Sequence, residues 1–122
     1  MALIIPSVND NGLQMEMNDR VVTLSGRIEM MEPSRIMRPF ITKVNEKLIE
    51  MDAKEVQVIC KNIDFINSSG IKEFVTWAMM TESLPSEKRY KIKFILSKDK
   101  PWQASSLEAI QTLTPDIVEI VN

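Results

Sequence analysis

The sequence predicts an α/β fold with a mixed, largely parallel sheet, opened by an N-terminal hairpin and covered by helices. Three observations carry this reading. Two strand-like segments follow one another near the start, and after them helical and strand-like periodicities alternate in the order β-β-α-β-α-β-α-β. Single strands separated by helices need crossover connections, which favour parallel pairing. No internal repeat, low-complexity tract or linker divides the 122 residues, so residues 1–122 read as one domain.

The hairpin is read from alternation. After the turn signal Asn9-Asp10-Asn11-Gly12, the apolar residues Leu13, Met15 and Met17 alternate with polar ones. Asn18-Asp19 reads as a tight turn, Val21-Val22-Thr23-Leu24 as the returning strand, and Gly26 as its end. The longest helical pattern comes next. Met37, Phe40, Ile41, Val44, Leu48 and Met51 fall on one stripe, with Lys43, Glu46, Lys47 and Glu50 mostly opposite. Pro33 suits a first turn. Pro39 removes a backbone donor, so the helix either kinks there or begins its regular part there.

Glu55 to Cys60 is a short strand rich in β-branched residues, and Ile63 and Phe65 carry apolar bulk into the loop Ile66-Asn67-Ser68-Ser69-Gly70. A second helix follows, with Ile71, Phe74, Val75, Ala78 and Met79 as its expected core stripe. Tyr90 to Leu96 is a strand with Ile92, Phe94 and Leu96 on one face. Trp102 to Leu113 forms a third helix and Ile117 to Val121 a last strand.

Composition narrows the function classes. Apolar residues make up 44% of the chain and charged residues 26%, the mix of a globular domain. A formal charge of −2 offers no basic field for nucleic acid or an anionic membrane. No apolar run approaches the ~20 residues of a membrane span, and Met1–Pro6 is too short and lacks the basic flank of a secretory signal. Cys60 is the one cysteine, which excludes an internal disulfide and points to a reducing compartment, the cytoplasm. Its place in an apolar strand reads as a buried small side chain.

Histidine is absent, removing the usual base near neutral pH and the commonest metal ligand. Three scattered glycines cannot write a phosphate-binding loop or a dinucleotide fingerprint. Asn9 to Gly12 lacks the downstream glutamate of a calcium loop. The residues therefore point to no cofactor, no metal and no enzyme chemistry.

What remains is the loop before the second helix. Ser68 and Ser69 sit where a strand gives way to a helix, so one hydroxyl is placed to cap free amides of the first turn. A phosphate there would meet those amides and the positive end of the helix dipole, adding nearly two charges without unfolding the domain.

The stretch Asp64-Phe65-Ile66-Asn67-Ser68-Ser69-Gly70-Ile71 resembles the signature of STAS domains, the family of sulfate transporters and anti-sigma factor antagonists. The element order before it, hairpin, Ser25-Gly26, long helix and short strand, is also similar, and the resemblance covers roughly Leu13 to Leu96. It implies a STAS-like α/β domain and a bacterial partner-switching regulator. In such proteins the first serine of the motif is phosphorylated by a partner kinase, itself an anti-sigma factor, and a PP2C-type phosphatase removes the phosphate. On this chain that serine is Ser68, with Asn67, Ser69 and Gly70 completing the switch loop. Two positions depart from the pattern: Asn67 stands where the family usually has Asp, and Lys72 where antagonists often have a second glycine.

The residues expected at a partner surface are Met30 and Met31, on the same rim as Ser68, then Lys72, and Trp77 and Met80, which fall off the expected core stripe of the second helix. Lys98, Asp99 and Lys100 read as a solvated loop. Two other functions stay open: a STAS-type binding module in a pathway without a sigma factor, and a sensor of small anionic ligands at the helix N-terminus.

Overall fold

A computed structural model describes residues 5–122. Met1–Ile4, part of the stretch weighed as a secretory signal, lie outside the described residues. The elements are β1 (Val8–Asp10), β2 (Leu13–Asn18), β3 (Val21–Ile28), α1 (Ser34–Glu50), β4 (Glu55–Ile66), α2 (Ser68–Glu82), a 3-10 turn (Ser86–Lys88), β5 (Lys91–Ile95), α3 (Pro101–Leu113) and β6 (Val118–Val121). The strands lie in the sheet in chain order. The pairs β1/β2 and β2/β3 are antiparallel, and β3/β4, β4/β5 and β5/β6 are parallel. This is the mixed, largely parallel sheet that the sequence predicts.

Strand β1 is an addition to that prediction. The turn signal is the two-residue connection Asn11-Gly12 between paired Asp10 and Leu13. Both turn residues have positive φ (51° and 80°), the hairpin geometry whose twist matches the flanking strands. The second hairpin turns at Asp19-Arg20, one residue later than expected, with Asn18 paired to Val21. Gly26 does not end β3. It sits within the strand at φ 98°, where a Cβ would overlap the Gly12 carbonyl, and the next amide, of Arg27, donates to that carbonyl at 3.0 Å.

Each parallel crossover adds its strand on the same side of the last, so right-handed connections place α1, α2 and α3 on one face of the sheet. There α1 packs on α2 and α2 on α3. Beneath them the strands contribute Leu13, Met15, Val22, Leu24, Val56, Val58, Cys60, Ile92 and Phe94. Helix α1 contributes the predicted stripe Met37, Phe40, Ile41, Val44 and Leu48, all buried. Each such side chain contributes about 1.5–3 kcal/mol by leaving water. The helix runs unbroken through Pro39 from Ser34, because the packed stripe outweighs one missing hydrogen bond. The opposite sheet face is polar: Lys93 lies between Glu55 and Glu119 at 3.3 and 3.4 Å.

Strand β4 extends to Ile66, past the expected end at Cys60. Thr23 faces Ile59 but Ser25 faces Asn62, and Gly26 faces Ile63 but Arg27 faces Phe65. Each step inserts one extra residue in β4, which resets the side-chain alternation and hides the strand from a period-two reading. The buried Gln103 amide holds this irregularity. Its Nε2 donates to the carbonyls of Cys60 and Ile63 at 2.8 and 2.9 Å, and its Oε1 accepts from the Ser97 amide at 2.9 Å.

Candidate functional site

The carboxyl ends of β3 and β4 meet the start of α2 at one rim of the sheet. Asn67, between β4 and α2, organises it. Its backbone is extended (φ −81°, ψ 170°), as an N-cap requires, and its Oδ1 accepts from the Gly70 amide at 2.8 Å. Its Nδ2 donates to the Met30 carbonyl at 2.9 Å, and its own amide donates to the Ile28 carbonyl at 2.9 Å. One side chain thus caps α2 and ties it to the loop after β3.

This corrects the expectation that a serine hydroxyl caps the helix. Ser68 and Ser69 are the first two helical residues, both are exposed, and neither hydroxyl is hydrogen bonded among the described residues. Their amides also lack a protein acceptor there, as first-turn amides do. The Ser68 hydroxyl therefore stands in solvent on a firmly capped helix.

Gly70 is buried, and a Cβ on it would lie 2.5 Å from Ile28 Cγ2 and 3.1 Å from Ile66 Cγ2. The absence of a side chain lets the first turn of α2 settle on the ends of β3 and β4. Met30 is half-buried and Met31 is 94% exposed. Both line an open groove of about 430 Å³ with Arg35 and Ile36 of α1 and Asp10 across from them. The Met30 carbonyl and Asn67, the residue preceding Ser68, are hydrogen bonded.

The rest of α2 keeps part of the predicted stripe, with Phe74 and Ala78 buried and Ile71 and Val75 packed against the core, and departs from it elsewhere. Trp77 is not a surface contact. It is 2% exposed, and its Nε1 donates to Tyr90 Oη at 2.8 Å, while Tyr90 Oη donates to Asn45 Oδ1 at 2.6 Å. Met80 is half-buried, and Met79, expected in the core, is 55% exposed. The buried face is Gly70, Glu73, Phe74, Trp77, Ala78 and Thr81. Phe74 meets Phe94 edge-on with ring centres 5.2 Å apart.

Glu73 can be buried because Arg38 of α1 reaches it with two bonds, Nε to Oε1 at 2.8 Å and Nη2 to Oε2 at 2.9 Å. The carboxylate raises the Arg38 pKa further above its already high value. Sequence periodicity missed this pair, since its members lie on different helices. The cap was nearer to hand: Asn at the strand–helix junction is among the preferred N-cap residues.

Lys72 is exposed, and its ammonium makes no hydrogen bond or ion pair among the described residues. Lys100 is not simply solvated. It pairs with Asp64 at 2.9 Å and donates to the Lys61 carbonyl at 2.8 Å. Phe65 is 40% exposed beneath the Arg27 guanidinium, 5.2 Å from its ring centre. Cys60 is fully buried, and burial pushes its thiol up to about 12, so it stays protonated. Among the described residues no group of three His, Cys, Asp or Glu side chains could hold a metal ion, and no helix is long and apolar enough to cross a membrane.

No protein-family model and no curated protein matches the sequence. Solved structures do match. One is the crystal structure of an anti-sigma factor antagonist from Mycobacterium paratuberculosis, with a TM-score of 0.52 and 16% sequence identity over 89% of this chain and 83% of that one. The hairpin, the parallel strands and the three helices on one face are therefore a STAS-like fold, shared with a protein of that kind.

Proposed function

We propose that this chain is a non-catalytic partner-switching regulator of the anti-sigma factor antagonist type, controlled by reversible phosphorylation of Ser68. One observation carries the proposal. The Ser68 hydroxyl is exposed and makes no hydrogen bond among the described residues at the first position of α2, while Asn67 independently supplies the cap. Modifying the serine removes no structural bond, so the fold survives while the rim gains nearly two negative charges. Met31, exposed on the same rim, supplies adaptable apolar surface for a partner.

The partners of this reading are a serine kinase resembling an anti-sigma factor, which binds the bare rim, and a PP2C-type phosphatase, which restores it. Residues 1–122 act as one domain in the cytoplasm. A phosphate placed in that interface brings desolvation and repulsion of a few kcal/mol, enough to weaken binding about a hundredfold.

Incubation with the cognate kinase and ATP, followed by mass-spectrometric mapping, tests it. Phosphate is expected on Ser68 and lost in Ser68→Ala, and Ser68→Asp is expected to weaken kinase binding. Absence of phosphate from both Ser68 and Ser69 defeats the proposal.

Asn67 favours a second reading, a STAS-type module in a pathway without a sigma factor. Its Nδ2 donates to the Met30 carbonyl, a bond that the aspartate usual in the family cannot make. The loop facing the kinase is thus held differently. Recovery of a sigma-factor-binding kinase in a pull-down from native cytosol rejects this second reading.

A further inference from the structure

We propose that Asn11 is a site of spontaneous covalent modification: the Gly12 amide nitrogen displaces ammonia from its side chain, water opens the product to aspartate or isoaspartate, and the isoaspartate form loosens the turn from β3. The inference does not depend on phosphorylation of Ser68.

The step balances with water alone. The Gly12 nitrogen, having lost its proton to hydroxide, bonds to Asn11 Cγ as the Cγ–Nδ2 bond breaks. The departing nitrogen takes up a proton and leaves as ammonia. Water then opens the five-membered imide. Cleavage between the Gly12 nitrogen and Cγ gives aspartate. Cleavage between that nitrogen and the Asn11 backbone carbonyl carbon gives isoaspartate, with the main chain running through Cβ and Cγ. Nothing is oxidised or reduced.

Three features single out this residue. Asn11 is the only asparagine followed by glycine, which has no Cβ to obstruct the attacking nitrogen. Both residues are exposed, and among the described residues neither the Asn11 side chain nor the Gly12 amide makes a hydrogen bond. Ring closure needs rotation about the Asn11 Cα–C bond, which the closed turn, at φ 51° and 80°, does not allow. The third feature removes that obstacle: β1 has three residues and lies at the sheet edge, so the hairpin can open without disturbing the core.

Asn67, followed by serine, shows the opposite condition. Its Oδ1 accepts from the Gly70 amide and its Nδ2 donates to the Met30 carbonyl. Its side chain cannot turn onto the Ser68 nitrogen without giving up both bonds.

Either product alters the rim. Asn11 lines the groove of about 430 Å³ with Met30 and Met31, so modification adds a carboxylate beside Asp10 and Glu32. Isoaspartate also lengthens the two-residue turn by a methylene. The Gly12 carbonyl accepts from the Arg27 amide at 3.0 Å and sits where a Cβ on Gly26 would be, so it has no slack to absorb the addition. The bond to Arg27 is the one that yields.

The purified full chain is aged at mildly alkaline pH beside a synthetic peptide spanning residues 7–16. Mass spectrometry follows residue 11, and an isoaspartyl carboxyl methyltransferase reports the isoaspartate. Conversion at Asn11 is expected to outpace that at Asn67 and to run less than about a hundredfold slower than in the peptide, because local opening suffices. Reaction through unfolding of the whole domain would be slower by more than about a thousandfold. Asn11→Gly, which suits the same turn, should abolish conversion there. The separated isoaspartate form should exchange the Arg27 amide faster, whereas Asn11→Asp, with the charge but not the methylene, should leave it unchanged. Retardation beyond about a hundredfold overturns the proposal, as does faster conversion at Asn67. So does an Arg27 amide that is unaffected by isoaspartate, or equally affected by Asn11→Asp.

Discussion

The two ends of α2 use hydrogen bonds in opposite ways. At the start, Asn67 satisfies one amide and leaves two serines, two amides and a lysine facing water. Ten residues after Asn67, Trp77 is enclosed, and its indole N–H passes through Tyr90 to Asn45, joining α2, the entry to β5 and α1. The interior end leaves no polar atom without a partner, as a low-dielectric site demands. The rim end keeps its groups free, which is the condition for taking up new charge without losing old bonds. One helix thus divides a tightly bonded interior from an open rim along its length.

Three substitutions break or sharpen that contrast. Trp77→Ala should cost about 3–5 kcal/mol, by removing the largest buried side chain and leaving Tyr90 without its donor. Urea unfolding reads this as a lower midpoint. Asn67→Ala should cost about 1 kcal/mol for the lost cap. Faster hydrogen exchange should appear at the Gly70 amide and be confined to the rim. Ser68→Ala should change stability by less than about 0.5 kcal/mol, since its hydroxyl makes no hydrogen bond among the described residues. If Ser68→Ala costs as much as Asn67→Ala, the serine is a structural residue and the contrast fails.

What could be read in the sequence follows from which forces are local. The α1 stripe from Met37 to Leu48 is periodic because one face of that helix meets the sheet, and the structure buries every one of its predicted residues from Met37 to Leu48. Ser68, Gly70 and Met31 are on the rim because a loop between a strand and a helix can lie nowhere else. The misreadings arise where distant partners decide. Helix α2 packs on both α1 and α3, so its phase is set by Arg38 reaching Glu73 and Tyr90 reaching Trp77, and of its predicted stripe Met79 turns outward. In β4 the inserted residues are held by Gln103, some forty positions away in sequence, as the 40-residue span to Ile63 shows. Strand β1 carries little side-chain signal, since its Val8-Asn9-Asp10 pairs through backbone alone.

The sheet is laid down in the order in which the chain is written: every strand pairs with the one just before it. No strand must wait for a segment from the far end, so loop-closure entropy stays modest at each step. Growth can begin at the Asn11-Gly12 hairpin and advance one crossover at a time. Seen during biosynthesis, the N-terminal portion through α2, Ser68 included, has its sheet neighbours before β6 has emerged, and only the outermost strand is left to close the edge.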